Sequence, residues 1–173
     1  LVGVQQADGS WLPLWFGNQD NPEDENPVFG TARVLPAYLA WERGEYPEAQ
    51  RGLDWLAGKI NPDGGWGGGP AVVNLMGQPT VSTVEETALA VETLSGACFE
   101  GQYQDIICRG IEWLQDAVES GRFRQSAPIG FYFAKLWYHE RLYPVIFTVA
   151  ALGQVVSRLP SGDSAVAVAE PYS

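Results

Sequence analysis

The sequence predicts an all-α fold built from stacked helix pairs, on three observations. A motif of seven residues returns at a fixed period, the segments between its copies place apolar residues three and four positions apart, and no useful stretch alternates apolar with polar residues as a half-buried strand would. Gln5-Gln6-Ala7-Asp8-Gly9-Ser10-Trp11 returns as Ile60-Asn61-Pro62-Asp63-Gly64-Gly65-Trp66, with Trp11 and Trp66 standing 55 positions apart. A weaker third copy ends at Ser120-Gly121-Arg122-Phe123, with Phe123 a further 57 positions on. Thr31-Ala32 and Thr87-Ala88 are 56 apart, and Gly52-Leu53-Asp54-Trp55-Leu56 is echoed by Gly110-Ile111-Glu112-Trp113-Leu114 at a distance of 58. Independent features sharing one period point to a repeated turn, helix, connection, helix unit.

Taken in order, Val34, Leu35, Tyr38 and Trp41 make one helical stripe between Gly30 and Gly44. Between Glu48 and Ile60 the stripe is Leu53, Leu56 and Ile60, and it stops at Asn61-Pro62, where proline disfavours a helical residue before it. The second unit places Val84, Ala88, Val91 and Leu94 on one helix, then Ile107, Ile111, Leu114 and Val118 on the next. Ser82 and Thr83 stand three residues ahead of Glu85 and Glu86, two overlapping capping boxes for one helix start. A third pair is expected from the aromatic-rich segment Gly130 to Arg141, with His139 near its end, and from a helix that Pro144 opens and that runs to about Arg158. Ile146, Val149, Ala150 and Gly153 form the tightest face of that last helix, which is apolar on most sides and is expected to be buried. Residues 161–173 read as a loose tail, leaving 1–160 as the domain.

Helix pairs of this kind bury only part of their apolar surface alone, so neighbouring units cover one another. Three pairs make an arc, and its open flank is expected to be covered by more of the barrel or by a second copy. The chain opens at Leu1 with no signal peptide, which fits processing or truncation. Its 46% hydrophobic content, with seven each of Trp, Tyr and Phe, supplies a core that a disordered chain lacks. Ten basic against 21 acidic residues give a net charge of -11, and without a basic block nucleic acid is not an expected partner. The run Asp20, Glu23, Asp24, Glu25 reads as a solvated loop. Cys98 and Cys108 read as buried free thiols in a reducing, cytoplasmic setting. No uninterrupted apolar run is long enough to span a bilayer, and peripheral contact with the inner membrane face stays open.

The motif has a physical logic. Asp-Gly favours a tight turn, Gln6 and Asn61 can tie backbone groups, and the indoles of Trp11 and Trp66 can lie against the start of a neighbouring helix as structural braces. Asp-Gly-Ser-Trp and Asp-Gly-Gly-Trp-Gly, with Gly30-Thr31, Val34-Leu35-Pro36-Ala37, Thr87-Ala88, Phe131-Tyr132-Phe133, Tyr143-Pro144 and Ala151-Leu152-Gly153 in order around them, resemble the QW repeats of squalene-hopene and oxidosqualene cyclases, the prenyltransferase and squalene oxidase repeat family. The likeness runs from about residue 3 to 159. It implies the C-terminal part of an α/α barrel (toroid), here an arc of about three helix pairs, from a class II terpene cyclase. Such enzymes are isomerases that protonate a terminal alkene of a polyprenyl or triterpene hydrocarbon such as squalene and fold it into rings, with no cofactor.

That chemistry needs a strong neutral acid and a dry cavity lined by aromatic faces that attract positive charge without reacting with it. The resemblance places the acid in an Asp-x-Asp-Asp motif upstream of the first repeat, and this chain has none, so its catalytic acid is unassigned. Glu85 and Glu86 are the nearest acidic candidates, carboxylates favoured at a helix N-terminus being the plainer reading. Phe29, Phe131, Tyr132, Phe133, Trp137 and Tyr138 fall where the family places aromatics that face the cation; an ordinary packed core is the alternative. The chain departs from hopene cyclases at Leu89, where they carry a Trp, and at Gly68-Gly69-Pro70-Ala71-Val72-Val73, where they carry a polar, acidic stretch. Protein prenyltransferases share the ring but need zinc, and His139 with Cys98 and Cys108 makes no metal site. Nor does Gly64 to Gly69 have the Lys-Ser/Thr of a phosphate loop. The rival reading is a non-catalytic α/α-repeat module that binds a lipid or a partner protein.

Overall fold

A computed structural model describes residues 2–18, 23–68, 82–97, 101–131 and 136–158. The expected tail, Cys98, Tyr132, Phe133 and most of the Gly68 to Val73 departure lie outside them. Among the described residues there are five α-helices: α1 (Pro27–Ala40), α2 (Pro47–Gly58), α3 (Val84–Ala97), α4 (Gln104–Glu119) and α5 (Tyr143–Arg158). The class is all-α, with one small three-stranded antiparallel sheet of β1 (Phe16–Gly17), β2 (Pro128–Phe131) and β3 (Leu136–His139).

Local chemistry sets the helix starts. Asn26 Oδ1 accepts the Phe29 N–H at 3.0 Å and Pro27 takes the first turn, so α1 begins three residues before the expected Gly30. Pro47 opens α2 in the same way. At α3, Thr83 Oγ1 accepts the Glu86 N–H at 3.1 Å, while Ser82 is drawn off to Asp63 and Asn61, so one of the two overlapping boxes is used.

The core is a row of α1, α3 and α5, with α2 against α1 and α3 and α4 against α3. Helix α3 is central and buried around most of its circumference, from Val84 and Glu85 through Leu89 to Ala97. Val84, Ala88, Val91 and Leu94 are interior, as their spacing predicts, and so are Leu35, Leu53, Leu56 and Leu114. Trp41 follows the end of α1 and is 68% exposed, Val118 is exposed on the outer helix, and Cys108 is exposed rather than buried.

Two expectations for the third unit are corrected. The described residues between Gly130 and Arg141 are not helical: Pro128 to Phe131 pairs antiparallel with Leu136 to His139, and Phe16 of β1 pairs with Phe131. Aromatic and β-branched residues favour such a pleated surface, and the edge offered by β1 captures it. His139 therefore sits at a strand end, its Nδ1 3.1 Å from the Ser126 carbonyl oxygen. In α5 the buried face is Pro144, Phe147, Thr148 and Ala151, against α3, whereas Ile146 and Val149 are 52% and 67% exposed. In a helix apolar on most sides several stripes satisfy the same spacing, and the small residues Thr148 and Ala151 let α3 approach closest.

Candidate active site

Each unit is closed by a pair of indoles. Trp11 donates its backbone N–H to Thr31 Oγ1 at 2.9 Å, and Trp66 donates its own to Thr87 Oγ1 at the same 2.9 Å. The ring of Trp11 lies against Gly52, where a Cβ would stand 2.5 Å from Cζ3; the ring of Trp66 lies against Gly110, where it would stand 2.8 Å away. Trp66 Nε1 donates to Leu56 O at 2.8 Å. The Asp of each turn uses both oxygens. Asp8 accepts Ser10 N–H at 3.0 Å and Trp55 Nε1 at 2.8 Å, and Asp63 accepts Gly65 N–H at 3.1 Å and Trp113 Nε1 at 3.1 Å. Gly9 and Gly64 sit at φ of 99° and 95°, which an L side chain resists.

Trp11 and Trp66 are thus buried in the core at 2% and 0% exposure. Asn61 bonds Gly65 O through its backbone N–H and Ser82 Oγ through Nδ2. Gln6 repeats the backbone bond, to Ser10 O at 2.8 Å, but its side chain is exposed, and Gln5 makes the side-chain bridge to Gly9 O and Glu48 O. Sequence reasoning passed over the second indole of each clasp, Trp55 and Trp113, although their common spacing was visible.

A second constellation lies at the N-terminal ends of the row. Phe29 of α1, Glu85 and Glu86 of α3, and Tyr143 and Phe147 of α5 line one small cavity, closed by Asn18 and Asn26 on one side and Ala127 on the other. Three residues singled out from sequence are therefore brought together, and Tyr143 and Phe147 join them from one face of α5, their rings stacked at 5.1 Å. Burial, and then its neighbour Tyr143, raise the Tyr138 phenol above its ordinary value, while Tyr138 itself is outside the cavity lining. Phe131 and Trp137 belong to β2 and β3, each paired through its backbone, with Leu136 and Gly130 respectively. Phe16 stacks obliquely on Phe29 at 5.4 Å. The Arg33 guanidinium lies 4.8 Å from the centre of the Phe147 ring and 5.5 Å from that of Phe29, so these faces already attract a cation.

The two carboxylates differ. Glu86 Oε2 accepts the Thr83 hydroxyl at 2.8 Å as part of the helix cap. Glu85 is 7% exposed, its Oε1 accepts the Ala127 N–H at 2.7 Å, and its Oε2 is buried with no hydrogen-bond partner among the described residues. Burial pushes the Glu85 carboxyl above its ordinary value, against the Ala127 bond and a distant pull from His139. A larger groove of about 600 Å³ sits at the opposite ends of α1, α3 and α5. Glu42, Glu45 and Glu92 line it and, among the described residues, no aromatic ring does, which suits it poorly to a hydrocarbon cation.

Residues 1–157 match the squalene-hopene cyclase C-terminal domain. The chain belongs to the squalene-hopene cyclase family. It is similar to enfumafungin synthase of Hormonema carpetanum, 32% identical over 143 residues covering 79% of this chain and 10% of that protein. The squalene-hopene cyclases of Bradyrhizobium diazoefficiens and Zymomonas mobilis are 32% and 29% identical, over 66% and 80% of this chain and 16% and 20% of their own lengths. The chain thus spans a fifth or less of the curated relatives it matches. In this chain the paired indoles hold the repeat, and among the described residues the cavity of Phe29, Glu85, Tyr143 and Phe147 brings three aromatic rings together with a buried carboxyl. Leu89, one of the departures noted above, is 1% exposed and packs in the core rather than lining that cavity. No described helix is long and apolar enough to cross a membrane.

Proposed function

We propose that this chain is the C-terminal part of a terpene cyclase that carries out proton-initiated cyclisation of a squalene-like hydrocarbon, its aromatic side chains stabilising the cationic intermediates. The observation that carries this is the convergence of Phe29, Tyr143 and Phe147 with a buried carboxyl at the N-terminal ends of three core helices. Ring faces draw positive charge through their quadrupoles and offer no lone pair to trap it, so a polyene cation survives long enough to fold. The squalene-hopene cyclases among the relatives support the substrate class.

Alkene protonation demands an acid stronger than an ordinary carboxyl, and burial moves Glu85 the other way. The initiating acid therefore lies outside this chain, in an Asp-x-Asp-Asp motif of the full-length protein. Peripheral membrane contact fits so apolar a substrate. The test is incubation of the full-length protein with squalene and shorter polyprenes, followed by gas chromatography and mass spectrometry. Cyclic hydrocarbons or cyclic alcohols are expected; tight binding of the polyprenes with no product in any case would turn the reading to a lipid-binding module.

A further inference from the structure

We propose that Glu85 is the carboxylate that faces positive charge on an isoprenoid chain at this cavity and takes up the proton when that charge is discharged as an alkene. The inference rests on the cyclase reading above. Glu85 Oε1 is anchored by the Ala127 N–H, which fixes the side chain, while Oε2 is buried in the cavity wall with no partner among the described residues. An unpaired buried carboxylate oxygen is costly, and it is retained where the fold uses it. The repeat makes the same point. Thr31 and Thr87 are equivalent, each accepting the backbone N–H of its tryptophan, so the residues two before them, Phe29 and Glu85, occupy the same place in successive units. The first unit has a phenyl ring there and the second an acid, and both line the cavity with Tyr143 and Phe147.

Glu86 is not the group, because Thr83 and the helix cap already hold its carboxylate. Desolvation makes Glu85 a poor acid and a good proton acceptor, so it suits the end of a cyclisation rather than its start. In the closing step a C–H bond beside the cationic carbon breaks and its electron pair becomes the new C=C bond. The proton passes to Glu85 Oε2, and nothing is oxidised or reduced. The cavity is about 20 Å³, room for one methyl- or water-sized group. The proton lost therefore comes from a methyl group that projects into it. Charged or titratable neighbours are Glu86 on the same helix, Arg33 of α1 over Phe29 and Phe147, Tyr143 of α5, and Tyr138 and His139 of β3.

The test uses two probes on the full-length protein: a long isoprenoid tertiary amine, protonated across the working pH range, and its neutral hydrocarbon isostere. Wild type is expected to prefer the ammonium by about tenfold, and Glu85→Gln to lose that preference while binding the hydrocarbon within about twofold of wild type. An equal preference in both proteins overturns the assignment. If Glu85→Gln does not fold by circular dichroism, the wild-type preference measured against pH decides: growth as Glu85 ionises supports the assignment, and a flat profile overturns it. Hydrocarbon binding without any ammonium preference refutes the role of Glu85 alone. Failure of both probes to bind wild type removes the cyclase reading, and this inference with it.

Discussion

Thr87 shows how much one hydroxyl can carry. It accepts the Trp66 N–H at 2.9 Å in a fully buried setting, so Thr87→Val keeps the shape and strands a donor, at a cost of about 1–3 kcal/mol by urea unfolding. Glu85 gives the opposite sign. Its folded-state carboxyl is raised above the ordinary value of 4.5, so its proton is held more tightly in the folded than in the unfolded chain. Stability from this group is complete below about 4.5 and is lost as pH rises through the elevated folded value. Glu85→Gln is therefore expected to raise the midpoint of thermal unfolding at neutral pH, with the gain shrinking toward pH 4. An equal shift at both pH values would show that the gain is not one of ionisation. The carboxyl's burial was not legible in the sequence: Glu85 sits in a capping box pattern, which predicts an exposed acid at a helix start, and only the packing of Ala127 and α5 over it reverses that.

At the scale of elements, glycine placement decides how closely the indoles dock. Gly110→Ala would put a Cβ 2.5 Å from Val91 Cγ2 and 2.8 Å from the Trp66 ring, and is expected to cost about 1–3 kcal/mol. Gly58→Ala meets nothing within 4 Å at the end of α2 and is expected to stabilise by about 0.4–1 kcal/mol. Chemical denaturation of the two variants side by side checks the contrast. The four helices of the first two units were readable from local signals, a proline at the start of α1 and α2, a cap at α3, and an apolar stripe along α4. The segment from Gly130 to Arg141 was not, because its aromatic residues suit helix or strand alike and the deciding partner, Phe16, lies more than a hundred residues earlier in the chain.

For the molecule as a whole, α1, α3 and α5 run parallel, with their N-terminal ends at the aromatic cavity and their C-terminal ends at the acidic groove. Leu142, Ile146, Val149 and Val156 form an exposed stripe along α5. Replacing Ile146 and Val149 by Lys is expected to change the stability of this chain by less than about 0.5 kcal/mol in urea unfolding. A much larger loss of stability would mean that the stripe is packed. The 173-residue chain by itself is expected to give no polycyclic product from squalene, since it has no Asp-x-Asp-Asp acid. The repeat announced the family through ordered motifs, whereas the site depends on distances between three helix ends, which periodicity does not encode.

The connection between α1 and α2 is bracketed by the contacts of Asp8 with Trp55 and of Trp11 with Gly52. A proteolytic nick between Arg43 and Tyr46 would therefore leave two pieces that still grip each other across the break. Separate expression of the fragments on either side should rebuild the unit by complementation, its topology being held by side chains rather than by an unbroken backbone.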